Sequence, residues 1–245
     1  MEKTSTHIHR AMILAAGLGT RFKPWTDIHP KALASVNGKT LLQRNIEYLQ
    51  RFGIREVVVN VHHFAGQILG ALEANKGWGS YYSVSDETGE VLETGGGLKK
   101  ARPLLEDAPF VLMNVDILTD MDLGEMIRYH SENKPLASLA VTERKTSRYF
   151  LFNDNNELSG WQNIQTGQEK IARPGSALYP KAFSGIHLID PSIFSLIRQS
   201  GKFSMVDVYL DLAPHHRILG YDHSGSRLVD VGRTESLAQA EKLFD

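Results

Sequence analysis

The chain holds no cysteine in its 245 residues, which excludes disulfides, thiolate metal sites and a cysteine nucleophile. No apolar run approaches the ~20 residues of a membrane-spanning helix. Neither sign of charge prevails: 27 Lys and Arg stand against 28 Asp and Glu, a formal net charge of −1. That balance argues against a general binder of nucleic acid or of membrane surfaces, while a local basic site stays open. Residues 1–10 are polar and lack the apolar middle of a secretory signal, so a soluble, cytoplasmic protein is expected. Signature loops are missing as well. The phosphate-loop spacing, two glycines followed by Lys and Ser or Thr, does not occur. The dinucleotide pattern fails because Phe22 stands where its third glycine would be. No Gly-x-Ser-x-Gly elbow exists, which leaves a serine hydrolase little support. The pairs His62-His63 and His215-His216 lack zinc-site spacing and read as polar loop residues.

What is present is enough apolar content, 42%, for a sizeable core in one α/β domain. Residues 11–16, 56–61 and 109–115 read as buried strands, with a shorter one at 81–84. Helical spacing marks residues 40–52 and 65–73, and residues 98–105 continue as a helix after a glycine turn at 93–97. Alternation at this pace belongs to doubly wound parallel sheets. The second half changes character. Strands are expected at 137–141, 149–153, 157–161, 182–189 and 228–231, with helices at 191–198, 206–213 and from about Thr234. Residues 162–180 are polar and contain glycine, and read as a flap over a site. There is no internal repeat and no linker.

The chemistry concentrates where strands end. The first strand runs into Gly17-Leu-Gly-Thr-Arg21, and Pro30-Lys31 follows. Glycines let a ligand reach the backbone, and free amides at a loop or helix start attract anions. Arg grips phosphate oxygens with two N–H groups, and Lys is a mobile point charge. A tight strand–helix turn would also need the glycines, and the two cations could be ordinary surface residues. Asp116 ends the apolar strand Phe110-Val-Leu-Met-Asn-Val115, and Asp230 ends Leu228-Val-Asp. Carboxyl ends of buried strands are where open α/β sheets bind ligands. Two carboxylates there could share one Mg²⁺, or could be turn and cap residues. Asp120 and Asp122 suit turn and cap roles before a helix at 123–130. Glu93-Thr-Gly-Gly-Gly97 could pack a base against bare backbone, or could be a plain turn. Gly185 lies mid-strand, where either a sugar ring or a bulge would call for glycine.

Leu14-Ala-Ala-Gly-Leu-Gly-Thr-Arg21, Pro30-Lys31, the strand ending at Asp116 and Val229-Asp-Val-Gly232 together resemble the sugar-1-phosphate nucleotidyltransferases. The resemblance runs from Ala11 to the last helix. Glu93-Thr-Gly-Gly-Gly97, Phe183-Ser-Gly-Ile186 and the compact length are most similar to the branch of N-acetylmuramate-1-phosphate uridylyltransferases and short mannose-1-phosphate guanylyltransferases. It implies a single three-layer, Rossmann-like α/β domain with a mixed, mainly parallel sheet, nucleotide-binding over 11–136 and sugar-binding over 137–245. It also implies a reaction: a sugar 1-phosphate attacks the α-phosphorus of a nucleoside triphosphate, and pyrophosphate leaves. Uridylyl transfer to a hexosamine-type or N-acetylmuramate 1-phosphate, a cell-wall precursor, is the leading expectation, and guanylyl transfer to mannose 1-phosphate the alternative.

By that resemblance Arg21 holds the leaving pyrophosphate and Lys31 bridges phosphates near the attack. Asp116 and Asp230 carry Mg²⁺. Ala15, Ala16, Gly17, Gly19, Thr20, Glu93, Thr94 and Gly95 hold the nucleotide. Gly185 lies under the sugar, with Asp207 in a supporting place. Partners are the two substrates, with no nucleic acid or membrane, and a homodimer stays open. Two departures stand out. Val115 replaces the glycine frequent before the metal aspartate. The usual Glu-Lys-Pro at the sugar phosphate is absent, with Trp161-Gln-Asn163 or Glu169-Lys170 as replacements. Two other readings stay available: a metal-dependent glycosyltransferase, weakened by the lack of Asp-x-Asp, and a nucleotide-sugar sensor without activity.

Overall fold

Residues 8–175 and 177–244 are described by a computed structural model of the chain. The expectation for residues 1–10 therefore falls mostly outside the described residues.

The chain enters β1 (Arg10–Leu14), buried from Ala11 onward. Three short 3-10 turns follow, closed by a small ribbon of β2 (Ser35–Val36) and β3 (Lys39–Thr40). α1 (Leu41–Arg51) starts where the Thr40 hydroxyl accepts from the Gln43 amide at 3.1 Å, a side-chain cap. Leu41, Leu42, Ile46 and Leu49 form its buried stripe, each stabilising the fold by roughly 1.5–3 kcal/mol. Gly53, at φ 80°, takes the left-handed conformation beyond the helix end. Next come β4 (Glu56–Val61), α2 (Ala65–Ala74), β5 (Tyr81–Asp86), α3 (Glu93–Lys100), β6 (Phe110–Asn114), β7 (Ile117–Thr119) and α4 (Leu123–Asn133). The second half runs β8 (Ala137–Thr142), β9 (Arg148–Phe152), β10 (Leu158–Asn163), β11 (Gln168–Ile171), β12 (Tyr179–Ile189), α5 (Ile193–Leu196), α6 (Met205–Leu212), β13 (Ile218–Asp222), β14 (Leu228–Asp230) and α7 (Glu235–Leu243).

Strands β5, β4, β1 and β6 lie side by side and parallel, with Ile13 opposite Val59 and Met113. Their near-continuous apolar runs follow from burial on both faces. Successive residues of β1 prove it. Ala11 and Ile13 join a core with α1, α2, α4 and α7, while Met12 and Leu14 join one with α3, α5 and α6. The result is the expected three-layer α/β sandwich. β12 then adds antiparallel to β6, and β8 antiparallel to β12, so β8 runs in the same direction as β6. β13 pairs parallel to β8. The carboxyl ends of β1, β4, β5, β6, β8 and β13 therefore share one edge of the sheet, where ligands bind in open α/β folds.

Several elements differ from the sequence reading. Residues 93–97 are not a turn before a helix: α3 itself begins at Glu93. The expected flap at 162–180 is partly sheet: residues 162–163, 168–171 and 179–180 are strand, because β10 and β11 pair as a hairpin and β12 already begins at Tyr179. The helix expected over 191–198 is the short α5. β7 and β13 escaped the reading altogether. β7 pairs antiparallel with β14, placing Ile117 opposite Asp230.

Candidate active site

A cleft of about 500 Å³ opens at the carboxyl edge, lined in part by Ala15–Arg21, Lys31, Glu93, Thr94, Asp116, Lys202 and Gly232. Its floor is a buried polar chain. The Ala15 and Ala16 amides donate to Asn60 Oδ1 at 2.6 and 3.3 Å. Asn60 Nδ2 donates in turn to Glu87 Oε1 at 2.7 Å. Three strand ends are thus tied together, and the loop after β1 leaves the sheet at a set angle. Burial raises the Glu87 pKa, against the hydrogen bond from Asn60. Gly97 makes room, since a Cβ there would meet Glu87 Oε1 at 2.6 Å. Neither Asn60 nor Glu87 was anticipated. The available signal was one amide inside Val57-Val-Val-Asn-Val61, because a buried polar side chain demands a partner.

The two loop glycines serve different ends. A Cβ on Gly17 would meet nothing within 4 Å, so the cleft there is open to a ligand. Gly19 sits at φ 60°, and a Cβ would approach Thr26 Cγ2 to 2.8 Å and Lys31 Cβ to 3.3 Å. Only glycine lets the loop close against Thr26 and the base of Lys31. The Thr20–Phe22 turn then buries Phe22 and leaves Thr20 and Arg21 exposed.

Lys31 and Asp116 form an ion pair, Nζ to Oδ2 at 2.5 Å, with both side chains largely sheltered. The β7–β14 ribbon sets Asp230 beside them, and the Val231 amide donates to the Asp116 carbonyl at 2.8 Å. Asp230 is exposed beside Gly232 at the edge of the cleft, yet its pKa is raised. Desolvation by the surrounding protein is the largest cause, and the Asp116 carboxylate adds to it. Lys31, Arg144 and Arg21 pull the other way. Gly232 keeps this corner open, since a Cβ would lie 2.8 Å from Asp230 Oδ1 and 3.3 Å from Arg21 Nη2. Asn45, buried on α1, donates to the Val115 carbonyl at 2.7 Å and so fixes the residue before Asp116. Val115 itself is packed in the core.

Two mutually repelling carboxylates offer the hard oxygen ligands that Mg²⁺ takes. Among the described residues no set of three or more His, Cys, Asp or Glu forms a complete cage. Mg²⁺ commonly binds through one or two carboxylates, with substrate phosphates and water supplying the rest.

The far wall joins two distant segments. The Gly95 and Gly96 amides donate to the Phe203 carbonyl at 2.9 and 3.2 Å, and Thr94 Oγ1 accepts from the Met205 amide at 2.9 Å. A Cβ on Gly95 would lie 2.5 Å from the Phe203 ring, so the glycines serve this contact. Glu93, at φ 59°, reaches Lys202 at 3.5 Å across the mouth. Lys202 was not anticipated either.

The residues expected to hold the sugar phosphate are less gathered. Gly185, at φ 75°, lies where the β12–β8 register shifts, and a Cβ there would meet Ile117 Cγ1 at 2.7 Å and Asn114 Nδ2 at 2.9 Å. It is a buried bulge that makes room for Asn114, which lines the cleft. Asp207, in the first turn of α6, pairs with Lys170 of β11 at 2.8 Å. Glu169 is exposed on the same strand, and Trp161 packs against the core.

The family described as Nucleotidyl transferase matches residues 10–244. The N-acetylmuramate alpha-1-phosphate uridylyltransferase of Neisseria meningitidis serogroup B is 31% identical over 238 residues, covering 96% of this chain and 97% of that protein. A mannose-1-phosphate guanyltransferase of Yarrowia lipolytica is 26% identical over 239 residues, covering 96% of this chain and 64% of its own length. Among solved structures, HddC from Yersinia pseudotuberculosis complexed with GMP-PN superposes with a TM-score of 0.77 at 21% identity, covering 97% of this chain and 100% of that one.

Proposed function

The chain belongs to the nucleotidyl transferase family, and on that premise we propose that it joins a nucleoside triphosphate to a sugar 1-phosphate, releasing pyrophosphate. The observation that carries this reading is the convergence of an open glycine loop, Arg21 and the Lys31–Asp116 pair on one cleft, with Asp230 beside Gly232 at its edge. The acceptor phosphate is already ionised, so no general base is needed. The task is to bring two polyanions together and stabilise the charge that develops at the α-phosphorus.

The residues divide that task. Gly17, Gly19 and Thr20 let the triphosphate lie against backbone, and Ala15 and Ala16 shape the loop through Asn60. Glu93, Thr94 and Gly95 form the wall for the base and ribose. Arg21 meets the leaving pyrophosphate. Lys31 exchanges its contact with Asp116 for one with phosphate. Mg²⁺, held by Asp116 and Asp230, would neutralise phosphate charge and polarise the phosphorus under attack. Gly185 and Asp207 support the acceptor side.

Uridylyl transfer to N-acetylmuramate 1-phosphate or a related hexosamine, in the cytoplasm and toward the cell wall, is our reading of the substrates. The Neisseria relative supports it by length and identity. Guanylyl transfer to mannose 1-phosphate is the second reading, supported by the Yarrowia relative. Each of UTP, GTP, CTP, ATP and dTTP should be incubated with a panel of sugar 1-phosphates and Mg²⁺. Pyrophosphate should appear with UTP and an N-acetylated acceptor. GTP with mannose 1-phosphate would select the second reading, and release from no pair would sink both.

A further inference from the structure

Among the described residues, the buried side-chain polar atoms without a hydrogen-bond partner are Thr142 Oγ1, Arg144 Nε and His223 Nδ1. Buried polar atoms are nearly always paired, so each exception calls for an explanation. These are not scattered. Thr142 ends β8 opposite Ala182 of β12. Arg144 donates from Nη2 to the Phe183 carbonyl at 2.9 Å. His223, just after β13, sets Nε2 2.8 Å from Ser184 Oγ. They therefore meet consecutive residues of β12, immediately before the Gly185 bulge and at the carboxyl edge that carries the cleft.

Arg144 holds the charge of this group. It is half-buried and forms no ion pair with any described residue, and its one described hydrogen bond leaves a planar fork of donors underused. Its field reaches both His223 and Asp230, and at Asp230 it opposes the rise in pKa caused by burial. The other candidates for the acceptor phosphate fare worse. Lys170 is engaged by Asp207 on an exposed edge strand, and Trp161 is packed against the core.

We propose that Arg144 binds the phosphate of the sugar 1-phosphate, turning its fork from the Phe183 carbonyl to the arriving oxygens, with Thr142 and His223 as the polar lining beneath it. A guanidinium suits this place because it can hold two phosphate oxygens at once, and phosphate satisfies the Nε–H that Phe183 leaves idle. The inference rests on the transfer reaction proposed above.

The test measures KM for each substrate by pyrophosphate release, with thermal midpoints as a fold control. Arg144→Gln should raise the KM for the sugar 1-phosphate at least tenfold and leave that for the triphosphate within about twofold; Arg144→Lys should recover part of the loss. An unchanged acceptor KM, or equal rises for both substrates, overturns the proposal. Wild-type protein that turns over no pair overturns the reaction and this residue role together, whereas an active wild type with an indifferent Arg144→Gln overturns this role alone. Should Arg144→Gln fail to fold, wild-type protein decides. Sugar 1-phosphate should slow phenylglyoxal labelling of Arg144 while the unphosphorylated sugar does not, and labelling that neither slows counts against the proposal.

Discussion

Asp230 carries its charge where the fold disfavours one. Desolvation and the Asp116 carboxylate raise its pKa, and three cations offset that rise only in part. A carboxyl group with a folded pKa above its unfolded one lends stability below the ordinary carboxylate range. That contribution is lost as pH rises through the raised folded value. Asp230→Asn removes the penalty of ionisation. Without Mg²⁺ its thermal midpoint should therefore exceed that of the wild type at pH 7, with the gap closing toward pH 3. Transfer activity should fall by about 10²-fold or more, the scale of losing one preorganised electrostatic contact. A variant no more stable than wild type at pH 7, measured by calorimetry, contradicts this account. The residue sits on a short ribbon pinned at Val231 rather than on a free loop.

Among the elements, α3 is built least like its neighbours. Glycine weakens a helix by about 1 kcal/mol relative to alanine, so propensity alone opposes Gly95-Gly96-Gly97. The helix forms because bare backbone can approach Phe203, Gly201 and Glu87, where side chains could not. Gly95→Ala should thus destabilise the protein by about 1–3 kcal/mol through overpacking, despite alanine's better propensity. It should also raise the KM for the triphosphate, and a stabilised Gly95→Ala with normal KM would show that the contact is slack.

This same helix marks the limit of what could be read from sequence. Strands β1, β4 and β6 announced themselves because apolar runs buried on both faces need no context. Arg21, Lys31, Asp116 and Asp230 stand out as candidates because each sits at a strand end or in a recognisable loop, and the structure sets them near one another. The first five residues of α3, 93–97, suggest a turn from sequence alone because glycine's local preference is overridden by a partner more than a hundred residues away. The short β7 and the extent of β12 depend on pairing rather than pattern, and Tyr179-Pro-Lys181 is largely exposed. Asn60, Glu87, Asn45 and Lys202 stayed hidden because no motif contains them; only their contacts give them meaning.

Across the whole molecule, the cleft draws on both ends of the chain, from Leu14 to Gly232. Filling it should hold the entire fold, not one half. A triphosphate at about 100 times its Kd adds roughly 2.7 kcal/mol of stability, which in a chain of this size means a rise of about 5–10 °C in Tm. UTP should give the larger shift and GTP the smaller, as a single cooperative transition; a shift from neither would deny the cleft its nucleotide. The clasp between Gly95–Gly96 and Phe203 has one more consequence, in time rather than in space. During synthesis the glycine-rich helix leaves the ribosome long before the segment that supports it. This wall of the cleft closes only once Phe203 has emerged, so a half-made chain cannot complete the site proposed for the triphosphate.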